Sequence, residues 1–281
     1  MTVQRGGKLN RLERDLPEGL VVDASWLTEH GYSTALRTQY LKRGWLKRPA
    51  HAVYMRPRGE LSWEQVVISL QALLRKRLVV GGRTALEFQG YGHFVSRSVS
   101  TVHLYGLARP PSWLSGLHLG VDFRYHNSSP LFGADLEGLR LPTLRDRVEP
   151  AGEDAGLQHA GLRVVAWGHW EWPLVLSSPE RAVLELMDAL PKGETFEHVD
   201  VVMEGLSDLS PRRMQRLLER CERVKVKRLF FFFADRHKHA WLKRLDKSSV
   251  DLGSGKRVLA TNGRLDPTYQ ITVPTELGQE P

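Results

Sequence analysis

Polar and basic side chains are concentrated in one short segment near the amino terminus, and their types suit contact with DNA. The candidates for base contacts in this segment are Ser33, Thr34, Arg37, Thr38 and Gln39. The candidates for phosphate contacts are Lys42, Arg43, Lys47, Arg48 and Arg56. Hydroxyl, amide and guanidinium groups can hydrogen-bond base edges in the major groove, and Lys and Arg neutralise backbone phosphates. The chemistry expected of these residues is therefore recognition of double-stranded DNA.

A helix-turn-helix is the element that the surrounding sequence predicts for these residues. Two short helices are predicted, over residues 24–30 and 34–43. The capping residues and helix-ending glycines that bound them are Asp23, Gly31, Ser33 and Gly44. In the second helix, Leu36, Tyr40 and Leu41 share the core-facing side, which leaves the polar side chains for the groove.

A wing is predicted directly after the second helix. Apolar strands over residues 45–46 and 52–55 flank a basic turn over residues 47–51, and that turn contains Pro49. A helix-turn-helix followed by a basic hairpin is more specific for DNA than a basic amphipathic helix alone, because many such helices are simply solvated surface.

Positive charge is concentrated in the same part of the chain. Of its 40 Lys and Arg and 32 Asp and Glu, residues 1–60 contain 11 and 6, a net charge of +5. The other 29 and 26 give residues 61–281 a net charge of only +3. Locally concentrated positive charge favours a polyanionic partner. The single cysteine excludes a disulfide framework, and no apolar run is long enough to span a membrane, so we expect a cytoplasmic protein with no membrane contact.

The predicted fold class is α+β. An N-terminal winged helix-turn-helix domain over residues 1–60 precedes a larger mixed α/β domain over residues 61–281, in which short strands form a sheet packed with a helical layer. An amphipathic helix over residues 61–76 could belong to either domain. Strands are expected over residues 102–107, 117–125, 162–167, 257–259 and 269–273, and helices after Pro179 and Pro211.

Features elsewhere in the chain give weaker indications of chemistry. The glycine pair Gly81-Gly82 and the 251–255 loop resemble phosphate loops but are better explained as turns, because the lysine of a P-loop is missing. Cys221 has no activating neighbour and is expected to be an inert thiol. A basic stretch over residues 212–228 is either a solvated helix face or a second polyanion-binding surface.

No catalytic residue, metal site or cofactor is predicted. A metal-dependent nuclease would use a Glu-x-Lys or Asp-x-Lys pair, and the sequence contains neither spacing. The histidines at 169, 237 and 239 lack the cysteine partners or helical spacing of a metal site. The alternatives that remain are a nucleic-acid-modifying enzyme that uses the winged helix for targeting, and a plain interaction scaffold.

The sequence resembles the AbiEi-type antitoxins of type IV toxin–antitoxin systems, a group linked to phage defence. The amino-terminal stretches that carry the resemblance are residues 22–27, 31–33, 40–46 and 52–54, followed by the Gly-Gly-x-x-Ala-Leu pattern at 81–86. The carboxy-terminal stretches are residues 178–182, 225–229, 251–257 and 269–274. The wing departs from the Arg-Gly-Val-Tyr end common in that family, because this chain has His51-Ala52-Val53-Tyr54.

The resemblance implies a function more specific than DNA binding. Such a protein would be a transcriptional repressor that binds inverted repeats in its own operator. It would also act as the antitoxin that opposes a cognate nucleotidyltransferase toxin. A stable complex with that toxin is not implied.

Overall fold

The computed structural model describes residues 3–57, 59–91, 99–146, 148 and 154–278. The α-helices in these ranges are α1 (Val3–Asp15), α2 (Ala24–Glu29), α3 (Thr34–Lys42), α4 (Trp63–Ile68), α5 (Gly82–Phe88), α6 (Ser129–Phe132), α7 (Ala155–His159), α8 (Pro179–Asp188), α9 (Phe196–Gly205), α10 (Pro211–Arg220) and α11 (Val224–His237). The strands are β1 (Val21–Asp23), β2 (Lys47–Ala50), β3 (Val53–Met55), β4 (Leu78–Val80), β5 (Thr101–Gly106), β6 (Asp122–Asn127), β7 (Leu162–Trp167), β8 (Trp172–Ser177), β9 (Arg264–Asp266) and β10 (Ile271–Val273). The chain is therefore α+β, as expected.

The amino-terminal unit is a winged helix-turn-helix built on a small antiparallel sheet. Its strand order is β1-β3-β2, with Val22 opposite Tyr54. Helices α1, α2 and α3 pack on this sheet through fully or almost fully buried side chains that include Leu12, Leu27 and Tyr40. The sheet thus fixes α3 and the β2–β3 hairpin relative to one another.

A five-stranded mixed sheet, in the order β6-β5-β4-β8-β7, organises the second part of the chain. The pairs β4–β8 and β5–β6 are parallel, and the pairs β4–β5 and β7–β8 are antiparallel. The β4–β8 pair is short, and the side chain of Gln71 bridges it. Its Nε2 donates to Leu78 O at 2.7 Å and to Val175 O at 2.9 Å, while its Oε1 accepts from Val175 N at 3.0 Å. These bonds satisfy backbone groups that the short ladder leaves unpaired.

Helix α8 lies at the centre of the helical layer. Ser178 caps it, Pro179 occupies its first turn, and nine of its ten residues are buried. Arg181 is fully buried and bonds Glu185 at 2.8 Å and Asp135 by a shorter contact. Burying these charges is tolerated because each has an oppositely charged partner.

The four-phenylalanine run in α11 is largely core. Phe230, Phe231 and Phe233 are fully buried and Phe232 is partly exposed, which agrees with the expectation of a helix buried on most sides. None of the helices in the described residues could span a bilayer.

Several elements differ from the sequence-based expectation, among them the strand expected over residues 117–125, which spans Asp122–Asn127 as β6. The helix expected over residues 61–76 ends as α4, and a π-helix, Ser69–Leu73, follows it. Ser69 lies at the junction of the two helices, where its Oγ donates to Gln65 O at 2.6 Å and accepts from Val21 N at 2.9 Å. That second bond joins the segment to the winged unit, so the domain boundary at residue 60 stays a prediction. Strand β8 was not expected, and the strand expected at 257–259 is reduced to a single bridge, between Arg257 and Ile271.

Candidate nucleic-acid interface

The helix-turn-helix is held together by the caps that the sequence predicts. The carboxylate of Asp23 accepts from the amide of Trp26 at 2.9 Å, and the Ser33 hydroxyl accepts from the amide of Leu36 at 3.3 Å. Gly31 takes a φ of +82° in the turn between the helices, a conformation that glycine adopts without steric cost. Gly44 has a φ of +72° just past the end of α3. These local features fix where α3 begins and ends.

One face of α3 is open to solvent and polar. Thr34, Thr38 and Lys42 are exposed and recur at i, i+4 and i+8, so they form a row along the helix. Ser33 and Arg43 are exposed at its two ends, and Gln39 is partly exposed on its flank. The structure therefore brings six of the ten predicted site residues together on this face.

Ala35 belongs to the same face and was not singled out from the sequence. It is exposed one residue after Thr34. A small apolar side chain leaves room for close approach to this face, and in helices that lie in a major groove it suits contact with a thymine methyl group. Only its position among the exposed residues identifies it, because an alanine in a helix carries no chemical signal of its own.

Arg37 takes a different position from the one expected for a base-reading residue. It is only 8% exposed. Its Nη1 donates to Ala24 O at 3.0 Å, and its Nη2 donates to the hydroxyls of Thr28 at 3.2 Å and Thr34 at 3.1 Å. Its guanidinium also lies 5.9 Å from the centre of the Tyr54 ring. The charge joins α2, α3 and β3 and is turned into the domain, so in this structure it positions the exposed face.

The wing forms, but its basic residues lie in a strand and not in the turn. Lys47 and Arg48 are exposed in β2, where Lys47 pairs with Met55. The turn is confined to residues 51–52, and Ala52 takes a φ of +59° there. Pro49 is accommodated because β2 is an edge strand and does not need every amide for pairing. Both cations follow α3 closely in the chain and carry their charge on its carboxy-terminal side.

Arg43 and Arg56 are held by different means. The guanidinium of Arg43 lies 5.2 Å from the centre of the Trp45 ring, which keeps the charge beside the end of α3 while it stays exposed. The guanidinium of Arg56 bonds Glu13 O at 3.2 Å and the carboxylate of Glu18 at 3.2 Å. Arg56 thus connects the residue after β3 to α1. Its guanidinium is bonded within the winged unit and is not directed toward a phosphate.

A carboxylate of the protein itself lies at the Gly81-Gly82 turn. The amide of Gly82 donates to Glu185 Oε2 at 2.9 Å, so the amino end of α5 is occupied by a carboxylate from α8. A Cβ on Gly81 would lie 2.3 Å from the same oxygen, which explains the need for glycine there. This agrees with the interpretation of the glycine pair as a strand-to-helix turn.

The basic stretch over residues 212–228 is mostly used within the protein. Arg213 pairs with Glu180 at 3.1 Å, and Arg220 donates to His159 O at 2.8 Å. Lys225 donates to two backbone carbonyls, and Arg228, almost fully buried, donates to three. These contacts argue against a second polyanion-binding surface, but they also differ from the other expectation, a simply solvated helix face, because the charges have partners within the protein.

The remaining sequence candidates have structural partners. Cys221 is buried, and burial raises the pKa of its thiol to about 11. His237 Nε2 lies 2.7 Å from the carboxylate of Asp200, and His239 Nε2 lies 2.8 Å from Met203 O. In the part of the chain that the structure describes, no three His, Cys, Asp or Glu side chains are grouped as metal ligands would be.

Comparisons with known proteins cover nearly the whole chain. A family model described as "Transcriptional regulator, AbiEi antitoxin, Type IV TA system" matches residues 99–274, and one described as "Transcriptional regulator, AbiEi antitoxin N-terminal domain" matches residues 5–97. No curated protein matches the sequence. Among solved structures, the crystal structure of the RV2827C protein from Mycobacterium tuberculosis is similar, with a TM-score of 0.54 and 18% identity. The match covers 94% of this chain and 89% of that one, and at this identity it shows the fold alone.

Proposed function

The chain belongs to the AbiEi family of antitoxin transcriptional regulators of type IV toxin–antitoxin systems, and from that premise we propose that it represses its own operon by sequence-specific DNA binding. Helix α3 would enter the major groove of an operator built from inverted repeats. The wing would follow the adjacent backbone. Only binding is required, with no catalytic step, cofactor or metal.

The observation that carries this proposal is the exposed polar face of α3. Thr34, Thr38 and Gln39 would contact base edges, Ala35 would allow close approach, and Ser33 would contact the groove at the start of the helix. Arg37 is left out of the base-reading set, because its guanidinium is bonded inside the domain. Its proposed role is to hold α3 at a fixed angle to α2 and the wing.

The phosphate contacts proposed are Lys42, Arg43, Lys47 and Arg48. All four are exposed, and they extend from the last turn of α3 into β2. Each cation that neutralises a phosphate adds sequence-independent affinity that weakens as salt rises. Arg56 is left out, since its guanidinium is bonded to α1 and Glu18.

Opposition to a toxin is the second half of the proposed function. The family description supports an antitoxin role, and we propose that the toxin is a cognate nucleotidyltransferase that this chain opposes without a stable complex. An antitoxin that acts without holding its toxin, as proposed here, allows the two functions to be separated by mutation.

The test is a pair of assays in cells. A reporter driven by the chain's own promoter is measured with the native protein and with Thr38→Ala/Lys42→Ala, whose side chains are exposed. We expect native repression and a loss of at least about tenfold in the variant, since one base contact and one phosphate contact are removed. Lys243→Ala, exposed in the 3-10 helix Ala240–Arg244 of the second part of the chain, is the control.

Growth with the adjacent toxin gene is the second readout. We expect the Thr38/Lys42 variant to rescue growth as the native chain does, because these residues touch DNA alone. Full repression by that variant would contradict the assigned interface, and failure of the native chain to repress at all would contradict the regulator proposal.

A further inference from the structure

Strand β6 forms one edge of the five-stranded sheet and has a strand neighbour on one side only. It pairs in parallel with β5, with Asp122 opposite Thr101 and Asn127 opposite Gly106. Among the described residues, the strand order places nothing on its other side. An edge strand with unpaired backbone groups is a template for pairing with another strand.

The pairing with β5 determines which backbone groups of β6 face outward. The amide of Asp122 donates to Ser100 O at 2.9 Å, and the amide of Ser128 donates to Gly106 O at 3.1 Å. The N–H and C=O groups of successive residues point to opposite sides of a strand. The backbone groups of the even-numbered residues of β6 therefore point toward β5. The N–H and C=O groups of Phe123 and Tyr125 therefore point away from the sheet, toward a position that no described strand occupies.

We propose that β6 pairs antiparallel with β6 of a second copy of this chain, about a two-fold axis at Phe123. In this register the outward backbone groups of Phe123 bond those of Phe123 in the second copy. In this register residues 122–124 of β6 lie opposite residues 124–122 of the second copy, Tyr125 lies opposite Val121, and the two sheets join across the axis. The interface is isologous, as expected for a symmetric dimer.

Charge selects this register over its neighbours. With Phe123 on the axis, Asp122 lies opposite Arg124 of the second copy, and the symmetry repeats the pair. Moving the axis by one residue places either two Asp122 or two Arg124 side chains opposite each other. Opposite charges directly across a strand pair are favourable and like charges are unfavourable. The charges of β6 therefore favour this register over the two registers shifted by one residue.

The apolar face of β6 gives the second reason for a partner. Phe123 and Tyr125 lie on the same sheet face as Val102 and Leu104, which are fully buried, but their own rings are only partly covered. A groove of about 510 Å³ lies beside them, and its apolar lining includes Leu114, Leu117 and Val121. Pairing would place the Phe123 ring of the second copy opposite the Phe123 ring of the first. The apolar layer would then continue across the axis.

The winged unit lies close to this edge. A Cβ added to Gly116, at the end of the 3-10 helix Ser112–Gly116 that lines the groove, would lie 3.8 Å from the Cβ of Ala50 in β2. Two chains joined at β6 would therefore carry their winged helices on one frame, which suits an inverted repeat. This consequence rests on the proposed function, whereas the pairing itself does not.

The test is the mass of the full-length protein in solution without DNA, by sedimentation over a range of concentrations. We expect a concentration-dependent dimer of twice the 32.0 kDa chain mass. Asp122→Arg places arginines opposite Arg124 in both symmetric pairs, and the dimer dissociation constant should rise by about tenfold or more. Asp122→Arg/Arg124→Asp exchanges the two charges, restores both pairs and should return the constant to near its native value.

Controls separate folding from pairing. Asp122 and Arg124 are both exposed, so the variants should keep the native circular dichroism spectrum and melting temperature. Glu137→Arg changes an exposed charge outside β6 and should leave the mass unchanged. A native chain that stays monomeric at every concentration, an Asp122→Arg variant that dimerises as the native chain does, or a double variant that stays monomeric would each overturn the proposal. Since no DNA is present, none of these results bears on promoter binding.

Discussion

Arg37 donates from Nη1 to the carbonyl oxygen of Ala24 across 3.0 Å, which fastens the second helix of the helix-turn-helix to the start of the first. The amide of Ala24 in turn donates to Ala52 O at 2.9 Å, in the turn of the wing. Two successive contacts therefore connect α3, α2 and the wing. Arginine often contacts guanine in protein–DNA complexes. Here Arg37 instead holds in place the elements that carry the exposed polar face.

Replacing Arg37 tests that positioning role. Arg37→Ala leaves Ala24 O and two hydroxyls without their charged donor, and we expect the free energy of unfolding in urea to fall by about 1.5–3 kcal/mol. Affinity for the promoter should fall together with stability, because the proposed base-reading face of α3 is no longer held at its angle to α2 and the wing. Lys42→Ala, which is exposed, is the control and should change stability by less than about 0.5 kcal/mol. If the variant keeps its stability but loses its preference for the promoter, Arg37 contacts bases in the groove and does not position α3.

Lys47 tests the phosphate contacts of the wing. It is exposed in β2, so Lys47→Ala should leave the fold intact and weaken binding to every DNA sequence by a similar factor. Each lost phosphate contact also reduces the slope of log affinity against log salt concentration, here by about 1. Fluorescence anisotropy titrations over a salt series measure both effects. A selective loss on promoter DNA, with the slope unchanged, would contradict the assignment.

Asp200 gives a pH-dependent prediction outside the interface. Burial raises the pKa of its carboxyl, but the hydrogen bond from His237 and the charge of Arg236 outweigh that effect and leave the pKa below its ordinary value of 3.8. The folded chain therefore holds this proton less tightly than the unfolded chain does. The stabilisation is complete above the ordinary pKa and is lost as pH falls through the lowered value.

The matching variant is Asp200→Asn. We expect it to lower the free energy of unfolding at neutral pH by about 1–3 kcal/mol, because a charged acceptor shared by α9 and α11 is removed. Its loss of stability on acidification should be shallower than that of the native chain. Parallel stability curves for the two proteins from neutral pH down to the acid range would show that Asp200 does not contribute as described.

Cys221 is predicted to be unreactive in the folded protein. Cys221 is 2% exposed, and burial raises the pKa of its thiol to about 11, so very little thiolate exists at neutral pH. A thiol-specific reagent should react at once with the chain unfolded in urea. With the native chain, the reaction should be limited by the rate at which unfolding exposes the thiol. Cys221→Ala supplies the baseline. Rapid labelling under native conditions would show an accessible thiol instead.

Local signals explain why much of the fold could be predicted from the sequence. Asp23 and Ser33 cap their helices within three residues of themselves, and Gly31 and Gly44 adopt the positive φ that their positions suggest. Strand β7 has the predicted bounds. Each of these features depends on neighbours close in the chain, where residue type and spacing are informative.

Long-range contacts explain what the sequence could not indicate. Strand β8 is buried throughout and contains Pro173, so it shows no alternation and carries a residue that usually argues against an inner strand. Arg37 and Arg56 looked like surface cations because their partners, Ala24 O and the carboxyl end of α1, are brought to them only by folding. The same reason applies to Arg228, which reaches carbonyls 24 to 42 residues away.

The measurement that tests the central claim most directly is the affinity of the purified chain for its own promoter and for random DNA of equal length, across a salt series. If α3 contacts base edges as proposed, preference for the promoter should survive near-physiological salt while binding to random DNA weakens. Equal and steeply salt-dependent binding to both would contradict sequence recognition by α3 and leave only a basic surface.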